Sequence, residues 1–137
     1  MARKIRPDFV NLSQQLETEV NGPDGANRLF TFIGRFDTLL AAFAGESEKE
    51  TYTLLLGPEF DRKEFHRAIA TVSLADFGSQ PGAGTTPVRW SINEVDADRD
   101  DETGQVELRC EIEVYGGPGG ANVTAIMFHV TVLAEMA

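Results

Sequence analysis

Cysteine is almost absent from this chain of 137 residues: Cys110 stands alone, so no intrachain disulfide can form. None is needed, because a chain of this length buries roughly two thirds of its unfolded surface around a single core. One free thiol fits a reducing compartment. Positive charge is also scarce, with twelve basic against twenty-two acidic residues and a net charge of −10. Such a surface repels phosphate backbones and anionic lipid, which argues against nucleic-acid and membrane partners and favours solubility or a basic protein partner. Nowhere do about eighteen apolar residues follow one another, as a spanning helix requires. The opening Met1-Ala-Arg-Lys-Ile-Arg-Pro7 has positive charge but no apolar run behind it, so it does not read as a secretory signal, and the expected location is cytoplasmic.

Catalytic motifs are missing as well. The glycine-rich stretches Gly82–Thr86 and Gly116–Gly120 lack the Lys-Ser or Lys-Thr pair and the following helix that would hold a phosphate. The second reads instead as a hairpin connection needing positive φ. No Gly-x-Ser-x-Gly elbow accompanies the many serines. His66 has no partner at metal-ligand spacing and reads as a surface histidine.

What the chain does have is alternation. Val88–Val95, Gln105–Tyr115 and Ala121–Leu133 alternate apolar and polar residues in one phase. Paired as consecutive hairpins, they set Ile92 opposite Leu108, Trp90 opposite Cys110 and Val88 opposite Ile112. The second hairpin then sets Leu108 opposite Phe128, Cys110 opposite Ile126 and Val106 opposite Val130. Only even-numbered positions fill the oily face, and a slip of one residue would turn every side chain over, so a three-stranded antiparallel β-meander is expected.

The first half reads differently. Pro7 and Asp8 suit a helix start, and Phe9, Leu12, Leu16 and Val20 recur at helical spacing. The turn residues 21–25 stop that segment. Leu29, Phe32, Ile33, Phe36, Leu39, Leu40 and Phe43 then draw a second, oilier stripe that Gly45 ends, giving an αα-hairpin, although Arg28–Ile33 suits a strand on residue preference alone. Thr51–Leu56 reads as a short strand. Asp61 followed by Glu64 has the form of a capping box, with Phe65, Ala68, Ile69 and Val72 behind it as the buried stripe of a third helix over about 60–74. The expected fold is a single α+β domain spanning 1–137, its helices packed on one face of the sheet. A basic arm (1–6), a mobile Gly/Pro-rich loop (77–87) and an acidic hairpin loop (96–104) complete the organisation.

Three candidate sites follow. Asp96, Asp98, Asp100, Glu102 and Glu107 fall near the spacings of a calcium-binding loop, but Asp101 replaces the glycine of the sharp turn and the flanks read as strands, so calcium is the weakest reading. The inferred register sets His129 opposite Glu107, with Asn93 and Arg109 close by, a polar set for a small-molecule pocket or a small enzyme between sheet and helices. Lastly, the final strand is apolar on both faces: Val123, Ala125, Met127 and Leu133 occupy the side where its expected neighbour shows Glu107, Arg109, Glu111 and Glu113. A strand oily on both sides needs a cover. The first-ranked expectation is therefore a non-catalytic binding or assembly protein, acting on itself or on a basic partner through this face, with the arm residues Arg3, Lys4 and Arg6 available to grip an acidic neighbour.

Overall fold

The computed structural model describes residues 2–22, 25–79 and 88–135, and these form a two-sheet β-sandwich. The strands are β1 (Arg3–Lys4), β2 (Val10–Gly22), β3 (Gly25–Ala42), β4 (Ser47–Leu56), β5 (Phe65–Ser79), β6 (Arg89–Arg99), β7 (Val106–Tyr115) and β8 (Ala121–Glu135). The first sheet has the order β1-β4-β7-β6 and the second the order β2-β3-β8-β5. All pairings are antiparallel except the short parallel contact of β1 with β4.

This corrects the α+β expectation: the helical hairpin and the third helix are strands. Among the described residues the only helical turn is the 3-10 turn Pro7–Phe9, where Phe9 N–H donates to the Arg6 carbonyl. Proline and aspartate thus start a helix as read, but it does not propagate. The stripe assigned to the second helix contains a strand signal, because Phe30, Phe32, Gly34, Phe36, Thr38, Leu40 and Ala42 are all buried at period two. At the supposed capping box, Asp61 N–H does donate to Glu64 Oε1 at 3.3 Å, and Phe65 N–H reaches the Asp61 carbonyl at 3.1 Å. That closes one turn, after which Ala68, Ala70, Val72 and Leu74 line the inner side of β5.

The meander is corrected too. β6 and β7 form the expected hairpin, but four residues out of the expected register: Trp90 pairs with Val114 and Ile92 with Ile112, and after a bulge at Asn93, Val95 pairs with Cys110 and Ala97 with Leu108. β7 and β8 do not pair at all, since the loop 116–120 carries the chain across the sandwich to the second sheet. Gly116 makes that crossing feasible: its N–H donates to the Glu46 carbonyl, and a Cβ there would collide with the Phe43 carbonyl.

The even-numbered faces nonetheless meet. Leu108, Cys110 and Ile112 of the first sheet and Ile126, Phe128 and Val130 of the second belong to one buried cluster, with Trp90 packed against it. Phe36 ties the layers together, its ring 5.7 Å from Tyr52 of β4 and 6.3 Å from Phe128 of β8. Phe32→Ala is predicted to cost about 3–5 kcal/mol in a denaturant titration, as expected for emptying a site of 0% exposure. Leu39→Ala, in the same strand but 87% exposed, should change stability by less than about 0.5 kcal/mol. A helical β3 segment would make these two costs similar.

Candidate interaction surface

The last strand changes phase part-way along. Ala121, Val123 and Ala125 are buried, and then Ile126, Phe128, Val130, Val132 and Ala134. Irregularities in both neighbours accommodate the switch, between Asp37 and Leu40 in β3 and between Leu74 and Asp76 in β5. Inside the β3 bulge, buried Thr38 donates its hydroxyl to the Val123 carbonyl at 2.7 Å. The apparent oiliness of both sides of β8 is thus largely two core-facing runs in opposite phase. Val123 and Ala125 belong to the core and are closed to any partner; Met127, 45% exposed, and half-buried Leu133 remain on the outer side.

Around these two residues the second sheet presents a face of low charge. Its middle rows read Gln14–Ile33–His129–Thr71, Leu16–Thr31–Thr131–Ile69 and Thr18–Leu29–Leu133–Arg67. No carboxylate stands in them. A shallow depression of about 250 Å3 lies between Ile33, Thr71, Met127 and His129. The opposite outer face, on the first sheet, carries Glu94, Asp96, Asp98, Glu107, Glu111 and Glu113. There Glu94 lies directly opposite Glu111 and Asp98 opposite Glu107, like-charge pairs that only loose ion pairs offset, Arg109 to Glu94 and Lys49 to Glu111, both at 3.7 Å.

The polar set proposed for a pocket is divided between these two faces. Asn93, which donates to Glu113 at 3.2 Å, lies with Glu107 and Arg109 on the first sheet. His129 lies on the second, paired with Ile33 and Thr71 and not with Glu107, its Nε2 3.4 Å from the Thr131 hydroxyl. The space between the layers is filled by the hydrophobic cluster. Residues 80–87 of the loop expected to gate a pocket lie outside the described residues.

The acidic loop is occupied by its own bonds. Asp96 and Asp98 are strand residues of β6, paired with Arg109 and Glu107. Asp100 turns back to accept from the Thr103 amide at 3.1 Å and its hydroxyl at 2.8 Å. Asp101 takes Arg62 at 2.8 Å and Arg99 at 3.0 Å, while Glu102 is exposed. Among the described residues no His, Cys, Asp and Glu converge as a metal cage.

Comparison with known proteins yields no matching family model, curated protein or solved structure. Among the described residues no helix is long and apolar enough to cross a membrane. The basic arm is docked on its own chain: Arg3 and Lys4 pair with Tyr52 and Thr53, Ile5 N–H donates to the Thr53 carbonyl, and Arg3 lies 3.5 Å from Glu50. Arg6 reaches Asp8 at 3.7 Å. The second-sheet surface has a readable sign in the sequence, Leu16 and Ile69 near uncharged threonines, but the spacing of both also fits a helix face.

Two buried groups set the response to alkali. Burial pushes the Cys110 thiol from its ordinary 9.0 up to about 12. Burial, reinforced by the Glu50 charge, raises the Tyr52 phenol from 10.0 to about 12, against smaller opposing effects from Arg3 and the Thr38 hydroxyl. Both hold their protons more tightly folded than unfolded. Their contribution is therefore complete below pH 9 and is lost as pH rises from 9 toward 12. Unfolding free energies measured across that range should fall steadily, and in Cys110→Val the fall should begin only above pH 10, where tyrosine ionises in the unfolded chain. A flat profile in the native protein would contradict the burial of both groups.

Proposed function

We propose that this protein is a non-catalytic structural component that assembles with copies of itself through its second sheet. The observation that carries this reading is the partition of charge between the two outer faces. In a chain of net charge −10, the middle rows of the second sheet hold no carboxylate and expose Leu16 and Ile69, with Met127 exposed in the adjoining row between Arg35 and Ser73. The first sheet holds six. Copies can approach through the second sheet without bringing carboxylates together, while the acidic face keeps the assembly in water. The dispersal of Asn93, Glu107, Arg109 and His129 over opposite faces removes the support for a shared catalytic or ligand pocket.

Light scattering over a wide range of concentration tests the proposal. The mass is expected to rise to multiples of 15.0 kDa. Ile69→Glu places a carboxylate in these carboxylate-free rows, at an exposed position, and should weaken association by about tenfold or more, roughly 1.4 kcal/mol, while its thermal unfolding in the monomeric range stays where it was. A strict monomer at every concentration rules self-assembly out and leaves the acidic face, and with it a basic protein partner, as the surface to pursue.

A further inference from the structure

We propose that the copies join edge to edge within the second sheet, β5 of one against β2 of the next, so that a single antiparallel sheet runs through the assembly. This rests on the self-assembly reading above and names the surfaces it uses.

Both edge strands of the second sheet are long, β2 over Val10–Gly22 and β5 over Phe65–Ser79, and among the described residues neither has a strand paired on its outer side. Neither contains proline or lysine, the residues that commonly blunt an open edge. Each has bulges, near Ser13 in β2 and at His66 and Ala75 in β5, and these bracket regular stretches over 14–21 and 67–74.

Strand direction then decides how two copies meet. β2, β3, β8 and β5 each run opposite to the one before, so β5 runs opposite to β2. A second copy placed the same way up therefore offers its β2 antiparallel to the first copy's β5, and the alternation continues across the junction. A copy turned over would instead bring β2 against β2 or β5 against β5.

Register and charge both favour the first arrangement. The pairings within the sheet place Leu16, Thr31, Thr131 and Ile69 in one row, so copies at equal height set Ile69 opposite Leu16. These are large apolar side chains, 62% and 57% exposed, at the middle of the two free edges and on the same face. In the next rows Arg67 falls opposite Thr18, with Glu17 and Glu19 on the other face of β2, and Thr71 falls opposite Gln14. From Val10 to Asn21, β2 carries Glu17 and Glu19 and no cation, whereas His66 and Arg67 open β5. Two β2 edges brought together would add carboxylate to carboxylate, with Glu17 held by its own Arg28 at 3.1 Å, whereas the regular stretch 67–74 of β5 carries Arg67 and no carboxylate. Contacts of this head-to-tail kind close into a ring when the rotation between copies allows and otherwise continue as a filament.

Disulfide trapping in the full chain tests the junction. Directly opposed residues of an antiparallel pair lie about 4.5–5.5 Å apart at Cα, within reach of a disulfide. Under mild oxidation the double variant Leu16→Cys/Ile69→Cys should give a ladder of linked multimers on a non-reducing gel. Each single variant alone should give no linked product, and an equal mixture of the two should stop at the linked dimer. Cys110 is buried and can stay in place. Unchanged circular dichroism and unfolding midpoints check that the variants fold, as expected at exposed positions. A linked dimer from Leu16→Cys alone overturns the proposal in favour of β2 against β2. Absence of linkage in the double variant, while light scattering records multimers, overturns edge pairing and leaves self-assembly standing. A monomer by light scattering removes both.

Discussion

The whole molecule depends on burying one face of each sheet against the other. Every strand that reaches the centre contributes alternate residues to the space between the layers, and the aromatic contact of Phe36 with Tyr52 bridges it, with Phe128 beside Phe36 in the same sheet. Because the side-chain period of a strand is two, the register of each pairing fixes which residues see water. The few places where the alternation breaks are therefore where the chemistry of the surface is decided. At Ala125–Ile126 in β8, matching bulges in β3 and β5 allow the strand to turn over and keep its core face apolar on both sides of the break. At Asn93 in β6, a bulge lets Trp90 and Ala97 both pack on the core although one is even and the other odd.

Filling the interior in this way settles what lies outside. With the core drawn from one phase of β7 and β4, the other phase carries Glu107, Glu111 and Glu113 on β7, and β6 adds its own carboxylates beside them. The second sheet has no such concentration, and its middle rows hold threonines and aliphatics with Gln14, His129 and Arg67 but no carboxylate. The difference follows from which strands share a sheet: β6 and β7, the acidic hairpin, stay together, while β8 is carried away from them by the loop 116–120. Had β8 paired with β7 as a meander, Met127 and His129 would stand in a field of carboxylates.

How much of this was legible in the sequence depends on where two periods coincide. The even phase of residues 106–114 and 126–132 read correctly as core, since strict alternation over that length has no helical counterpart. In β3, by contrast, Leu29, Phe32, Ile33 and Phe36 satisfy helical spacing as well as any amphipathic helix, and only Phe30, Gly34 and Thr38 reveal the other period. Arg28–Ile33 had strand character by residue preference, a local signal outweighed by the longer stripe. Pro7-Asp8 and the Asp61/Glu64 pair were real turn signals that closed single turns without a helix behind them. At the end of the 3-10 turn and along β2 the apparent stripe of Phe9, Leu12, Leu16 and Val20 is exposed throughout, so its spacing reports no core at all. The partition of charge could not be read, because it depends on which distant strands lie side by side.

Edge strands make the last step. A sandwich whose second sheet ends in two long open strands carries a standing risk of uncontrolled pairing, and the usual guards are charge, proline and bulges. Here proline and lysine are absent from both strands, and the bulges lie toward the ends of the regular stretches, where they limit the length of any added pairing without preventing it. Glu17 and Glu19 guard β2 against another β2, yet they do not guard it against β5, whose regular stretch 67–74 carries Arg67 and no carboxylate. Such guarding discriminates among partners instead of forbidding them all, and that is the property a polar, repeating assembly requires of its edges. An edge meant to stay alone would repel both.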